Sequence, residues 1–225
     1  MERPFDLEYN EYGEYVFIIK DGVLYDSFVT AETNGGMNCF VIPDGVEELA
    51  DFCVNFLMYS GYDRFLSKIV IPKSVKKIHP RAFLNSGEIG TFEVDPENPH
   101  FKVDGKFLLS KDGKRLVCFA FDGYEEDIAV PDGVEVIEET VFYNSAPDLL
   151  VFPESVKEIA TQYHDLNCGE SYDAEDLGTV VIKNKDVVFT GGVEEMLQFA
   201  KCIKAPAGSA AIEYAKEKGI RYEEI

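Results

Sequence analysis

A chain of 225 residues has material for one large domain or two small ones, and a hydrophobic content of 46% supplies a real core, which excludes disorder over most of its length. Lys and Arg number 21 against 42 Asp and Glu, a formal net charge of −21, so the surface repels phosphates and anionic lipids and excludes nucleic acid and acidic membranes as expected partners. The 5 cysteines (Cys39, Cys53, Cys118, Cys168, Cys202) are odd in number and form no C-x-x-C, a pattern of reduced, mostly buried thiols and not of a disulfide framework or zinc ribbon.

Residues 1–15 are acidic and tyrosine-rich and read as an N-terminal arm or cap. They lack a basic start followed by an apolar run, and no apolar stretch approaches the ~20 residues of a membrane span. The expected location is therefore the cytoplasm, with no membrane insertion; a signal removed from the native chain would move it to the cell surface or outside. From residue 16 to 225 the pattern predicts a single domain.

Its first element is a strand, Tyr15–Lys20, rich in β-branched and aromatic residues. Asp21-Gly22 follows as a hairpin turn, and Val23-Leu24-Tyr25 returns. The device recurs at Phe101–Leu109, around Asp104-Gly105-Lys106, and a second turn, Lys111–Lys114, leads into Arg115–Phe119.

Between and after these hairpins a motif occurs 4 times: Ile42–Val54, Ile71–Phe83, Val130–Phe142 and Phe152–His164. Each copy runs apolar, Pro, two turn residues, Val, two mostly polar residues, then Leu or Ile. The prolines Pro43, Pro72, Pro131 and Pro153 lie 29, 59 and 22 residues apart. A step of 22 is one leucine-rich repeat turn, within the usual range of about 20–29. The step of 29 adds a loop insert, Phe56–Phe65; the step of 59 holds the second hairpin, entered through Asp95-Pro96-Glu97-Asn98-Pro99.

Alternation before each proline, as in Ile69 and Ile71, predicts a strand that ends where proline cannot donate to the ladder. Ala82-Phe83 reads as a small-large pair plugging the space between two walls. One such turn cannot bury its own apolar face, so neighbouring turns must stack. After the fourth copy the pattern breaks at His164, and Asp165–Gly178 reads as an acidic loop. Strand-like pieces resume at Thr179–Lys183 and Asp186–Phe189, followed by a Gly191-Gly192 turn. Residues 206–225 form a C-terminal cap, with a helix to Lys218, Ser209 as N-cap, Gly219 as stop and Ile220-Arg221-Tyr222 as closing strand.

At these residues the chain resembles the BspA-like leucine-rich repeat family, whose turn runs apolar-x-Ile-Pro-x-Ser/Gly-Val-x-x-Ile-x-x-x-Ala-Phe. The second copy matches it nearly throughout. Val141 stands for Ala in the third, Cys53-Val54 for Ala-Phe in the first, and Tyr163-His164 in the fourth. The family often has Cys three residues after the Phe, where Ser86 and Ser145 stand here. The resemblance implies a strand-rich leucine-rich repeat solenoid of the α/β class, with β-hairpin inserts and a C-terminal capping helix. It also implies a bacterial source and a surface role in adhesion or host binding.

The chain carries no G-x-S-x-G, H-E-x-x-H, P-loop or G-x-G-x-x-G, and no cofactor is expected. His164, Asp165 and Cys168 are close in sequence, and a hydrolase built on Cys168 and His164 is one alternative. Such a pair needs proximity in space and an orienting group, which loop neighbours rarely supply. The run Asp173-Ala174-Glu175-Asp176 lacks the alternating ligands and Gly of a calcium loop, so no metal is expected. His79, in the repeat turn, reads as structural.

What remains is a surface. Two residues before each copy's leading apolar-Pro pair closes, Val41, Val70, Ala129 and Val151 point away from the core and line up as an apolar stripe. Two residues earlier stand Cys39, Lys68, Asp127 and Leu149. The sequence therefore predicts no enzyme but a protein- or peptide-binding repeat module of unidentified partner, using Val41, Lys68, Val70, Asp127, Ala129, Leu149 and Val151. A cell-surface or secreted adhesion module is the other alternative.

Overall fold

Parallel strands paired at the motif's own spacing dominate a computed structural model of the protein. It describes residues 6–9, 15–29, 37–55, 65–84, 86–122, 127–142, 145, 147–160, 177–190 and 193–225. Strand is the prevailing element, with two short helices among the described residues. Contacts divide the chain into two compact units, Met1–Asp112 with Val117–Asp122, and Gly113–Leu116 with Gly123–Ile225.

Unit 1 opens with β1 (Asp6–Tyr9), β2 (Tyr15–Lys20) and β3 (Val23–Val29) as an antiparallel meander. Asp21 and Gly22 form its two-residue turn, at φ 52° and 77°, the doubly positive arrangement that suits the strand twist. Then come β4 (Met37–Val41), β5 (Glu48–Leu49), β6 (Phe65–Ile71), β7 (Lys77–Ile78), β8 (Glu88–Ile89) and β9 (Phe92–Val94). One wall stacks β3, β5 and β7 in parallel, the other β4, β6 and β9. The hairpin β10 (Phe101–Asp104) and β11 (Phe107–Ser110) follows, turning through Gly105 at φ 57°.

Strand β12 (Arg115–Phe119) straddles the division between units. In unit 2, Arg115 and Leu116 pair with β14 (Val136–Ile137), which pairs with β16 (Glu158–Ile159) and then β18 (Val188–Phe189). The facing wall is β13 (Asp127–Ala129), β15 (Leu149–Phe152), β17 (Leu177–Ile182), β19 (Ala200–Ala205) and β20 (Tyr222–Glu224), all parallel. The helices are α1 (Val193–Gln198) and α2 (Ala210–Lys218).

The registers reproduce the sequence repeat. Leu49 pairs with Ile78 and Ile137 with Ile159, the same motif position in successive copies. The motif breaks at His164, and the strand-like pieces expected after it continue the stack. Phe152 pairs with Ile182 and Ile159 with Phe189, and Val180 then pairs with Ile203. What carries the stack is apolar alternation, not proline: Lys183 stands where Pro153 stood, and its N–H donates to the Phe152 carbonyl at 3.1 Å. An added rung also sits between the second and third copies, where Ile71 pairs with Val94.

Both units are filled by the inward residues of their walls. Ile42, Ile71, Val46, Val75 and Leu49 are buried in unit 1; Val130, Phe152, Val134, Val156 and Ile159 are their counterparts in unit 2. The pairs Cys53-Val54, Ala82-Phe83 and Val141-Phe142 are all buried, and the Phe83 ring lies 5.4 Å from that of Phe92. Ser86 and Ser145, in the place where the family often has Cys, are buried with their hydroxyls donating to the carbonyls of Phe83 and Phe142 at 2.7 and 2.8 Å.

Helix α2 is capped as its sequence requires: Ser209 Oγ accepts from the Ile212 N–H, and Gly219 closes it at φ 71°. The closing strand lies further on than expected, at Tyr222–Glu224, because it pairs in register with Ile203–Ala205. Helix α1 was not legible, since one and a half turns give no periodicity to read.

Candidate functional site

The candidate site grows out of strand alternation. In β4 and β6, Phe40, Ile69 and Ile71 face inward and are fully buried, so Cys39, Val41, Lys68 and Val70 take the other face. Register sets Val41 beside Val70 and Val70 beside Glu93, with Cys39 beside Lys68. Val41 is 50% exposed, while Val70 and Lys68 are half-buried. The Lys68 ammonium is held 2.6 Å from the Glu93 carboxylate, and that hydrogen bond raises its pKa above the ordinary lysine value.

Unit 2 presents the same arrangement over more strands. Ile128, Leu150, Phe152, Val180 and Ile182 are buried inward. On the opposite face one column runs Asp127, Leu149 and Thr179, and the next runs Ala129, Val151, Val181, Lys204 and Glu223. Asp127 and Ala129 are exposed, and Leu149, Val151, Thr179 and Val181 are half-buried. Lys204 and Glu223 are 2.6 Å apart, and the lysine holds the Glu223 carboxyl below its ordinary range. The structure thus brings Val41, Lys68 and Val70 together in one unit, and Asp127, Ala129, Leu149 and Val151 together in the other. Val181 and Thr179 extend the second group; their alternation was visible, but their membership in the column needed the register.

The other candidate chemistry is elsewhere. His164, Cys168, Asp173, Glu175 and Asp176 lie outside the described residues, as do Gly191 and Gly192. Cys39, Cys53, Cys118 and Cys202 are free thiols, and burial pushes the Cys53 thiol up and that of Cys118 up to about 12, so neither is an activated nucleophile. His79 Nδ1 accepts from the Arg81 N–H at 3.2 Å and stands 3.6 Å from Asp51, a turn contact. Among the described residues no group of three or more His, Cys, Asp or Glu is placed to hold a metal ion, and no helix is long and apolar enough to cross a membrane.

No family model and no curated protein matches the chain. Solved structures similar to it include a bacterial leucine-rich repeat protein, in line with the motif resemblance. A leucine-rich repeat protein from Eubacterium ventriosum is similar at a TM-score of 0.54 and 18% identity, over 76% of this chain and 42% of that one. A leucine-rich cell surface protein from Faecalibacterium prausnitzii follows at 0.47 and 18%, over 83% and 59%. The pneumococcal vaccine antigen PcpA stands at 0.45 and 15%, over 84% and 68%. The first likeness gives the fold, that of a leucine-rich repeat protein, and this chain spans under half of that protein's length.

Proposed function

We propose that this chain is a non-catalytic binding module that recognises a protein or peptide through the outward face of its parallel strands. In this reading the stacked rungs of each unit are turns of a leucine-rich repeat solenoid, and α2 is its C-terminal cap. The observation that carries it is Val41, 50% exposed on a paired strand and set in register beside Val70. Apolar side chains on a fixed ladder are already ordered, so covering them costs little conformational entropy. Ala129, Val151 and Val181 repeat the pattern in unit 2.

The test is a binding measurement with a partner captured from the source cell and then purified. Val70→Asp or Val151→Asp should weaken binding about tenfold or more, as for truncated interface anchors. Neutralising Asp173, Glu175 and Asp176 together should leave it unchanged. Loss on neutralising the acidic run, with Val70→Asp and Val151→Asp binding normally, overturns the reading. A thiol-reactivity assay checks the non-catalytic part, since an activated Cys168 would react unusually fast near neutral pH.

A further inference from the structure

The outward face of unit 2 carries charges of two kinds. Lys204 and Glu223 neutralise each other at 2.6 Å. Asp127 and Lys183 do not: both are exposed, and neither has an ion pair among the described residues. They stand at opposite corners of the apolar columns. Asp127 begins β13, on the row shared by Leu149 and Thr179. Lys183 follows Ile182 at the far end of β17, past Val181. Two strand spacings across and four residues along put their α-carbons roughly 16 Å apart. An extended segment covers that distance in about five residues.

We infer that the segment recognised by this face is an extended apolar peptide with a lysine or arginine at one end and an acidic group about five residues away, its cation meeting Asp127 and its carboxylate meeting Lys183. This rests on the reading of the strand face given above. The columns Leu149, Thr179 and Ala129, Val151, Val181 take the apolar residues between the two charges. Ala129, small and exposed, is the next residue on this face after Asp127. The two fixed charges set the peptide's direction across the strands, since reversal would place like charges together at both corners. The excess of acid over base in the chain, −21, draws the basic end in first.

The test is a selection of random dodecapeptides displayed on phage against the whole chain, followed by affinity measurement on the enriched peptides. These should share a basic and an acidic residue about five positions apart with apolar residues between. Asp127→Asn and Lys183→Gln should each weaken them about two- to fivefold, as for solvent-exposed pairs, without shifting the thermal unfolding of the protein. The double reversal Asp127→Lys with Lys183→Glu should select peptides of the opposite charge order. Peptides that depend on Val151 but carry no such charge pair, or that ignore both substitutions, overturn the inference and leave the strand face standing. A selection in which no peptide depends on Val151 overturns both.

Discussion

The Oγ of Ser74 accepts a hydrogen bond from the backbone N–H of Gly45, 29 residues earlier, at 3.2 Å. Ser155 Oγ does the same for the Gly133 N–H, 22 residues earlier, at 3.0 Å. In each unit a Pro-Asp-Gly-Val copy is therefore followed by a Ser-Val copy whose hydroxyl caps its turn. The division of labour is conformational. Gly45 and Gly133 hold φ 91° and 93°, where a side chain is strained, and the serine copies need no such angle. Charge follows the same alternation: Glu47 and Glu48 of the first copy pair with Lys76 and Lys77 of the second, both at 2.7 Å.

Gly45→Ala should accordingly destabilise by about 1–2 kcal/mol through backbone strain alone. The added methyl meets nothing within 4 Å, so no clash contributes. Ser74→Ala should cost about 0.5–1 kcal/mol, because the exposed Gly45 N–H can turn to water. Urea denaturation of both variants checks the order, and a larger loss for the serine variant would mean that the bond, not the angle, sustains the turn.

Asn98 should be far less replaceable. It is fully buried; its Nδ2 donates to the carbonyls of Pro72 and Val75 at 2.9 and 3.0 Å, and its Oδ1 accepts from the N–H groups of His100 and Phe101 at 2.8 and 2.9 Å. Asn98→Ala removes all four bonds, three of them buried, and should cost about 2–4 kcal/mol. Asn98→Asp should be worse, since it points a carboxylate oxygen at two carbonyls. Equal midpoints for the Ala and Asp variants in denaturant would contradict this.

Asn98 also marks what the sequence concealed. The motif made the wall strands legible because proline, glycine and apolar alternation each have one local meaning. Asn98 sits in a stretch that reads as turn chemistry, and nothing local says that its amide reaches back to Pro72, 26 residues away. Gly178 is similar. It reads as the end of an acidic loop, yet a Cβ there would stand 2.0 Å from the Asp148 carbonyl oxygen, a close approach set by pairing with another rung. The outward positions Val41, Val70, Ala129 and Val151 were readable from alternation, whereas the exposed Lys183 corner needed the continuation of the stack beyond His164.

Phe83→Ala should destabilise by about 3–5 kcal/mol, as for other buried aromatics. Phe83 is 7% exposed and its ring packs on Phe92 at 5.4 Å, so the cavity would open between the walls of unit 1. His79→Ala, four residues earlier, should cost under about 1 kcal/mol, since it loses one turn hydrogen bond and a surface contact to Asp51. Chemical denaturation separates the two, and similar losses would mean that Phe83 does not fill the core as described.

The last prediction concerns acid. Glu135 lies 2.7 Å from the Lys157 ammonium and 3.0 Å from that of Lys114, and these partners, Lys157 first, hold its carboxyl below the ordinary glutamate range. The folded state therefore releases this proton more readily than the unfolded chain does. The ion pair's contribution is fully present above the unfolded value, about 4.3, and is lost as pH falls through the lower folded value. Glu135→Gln removes that dependence. Stability measured against pH should show wild type above the variant at neutral pH and the two curves converging below about pH 4. The gap at pH 7 should also narrow at high salt, since all three side chains are partly exposed. Curves that stay parallel down to the acid limit would show that Glu135 contributes packing and hydrogen bonding but no charge.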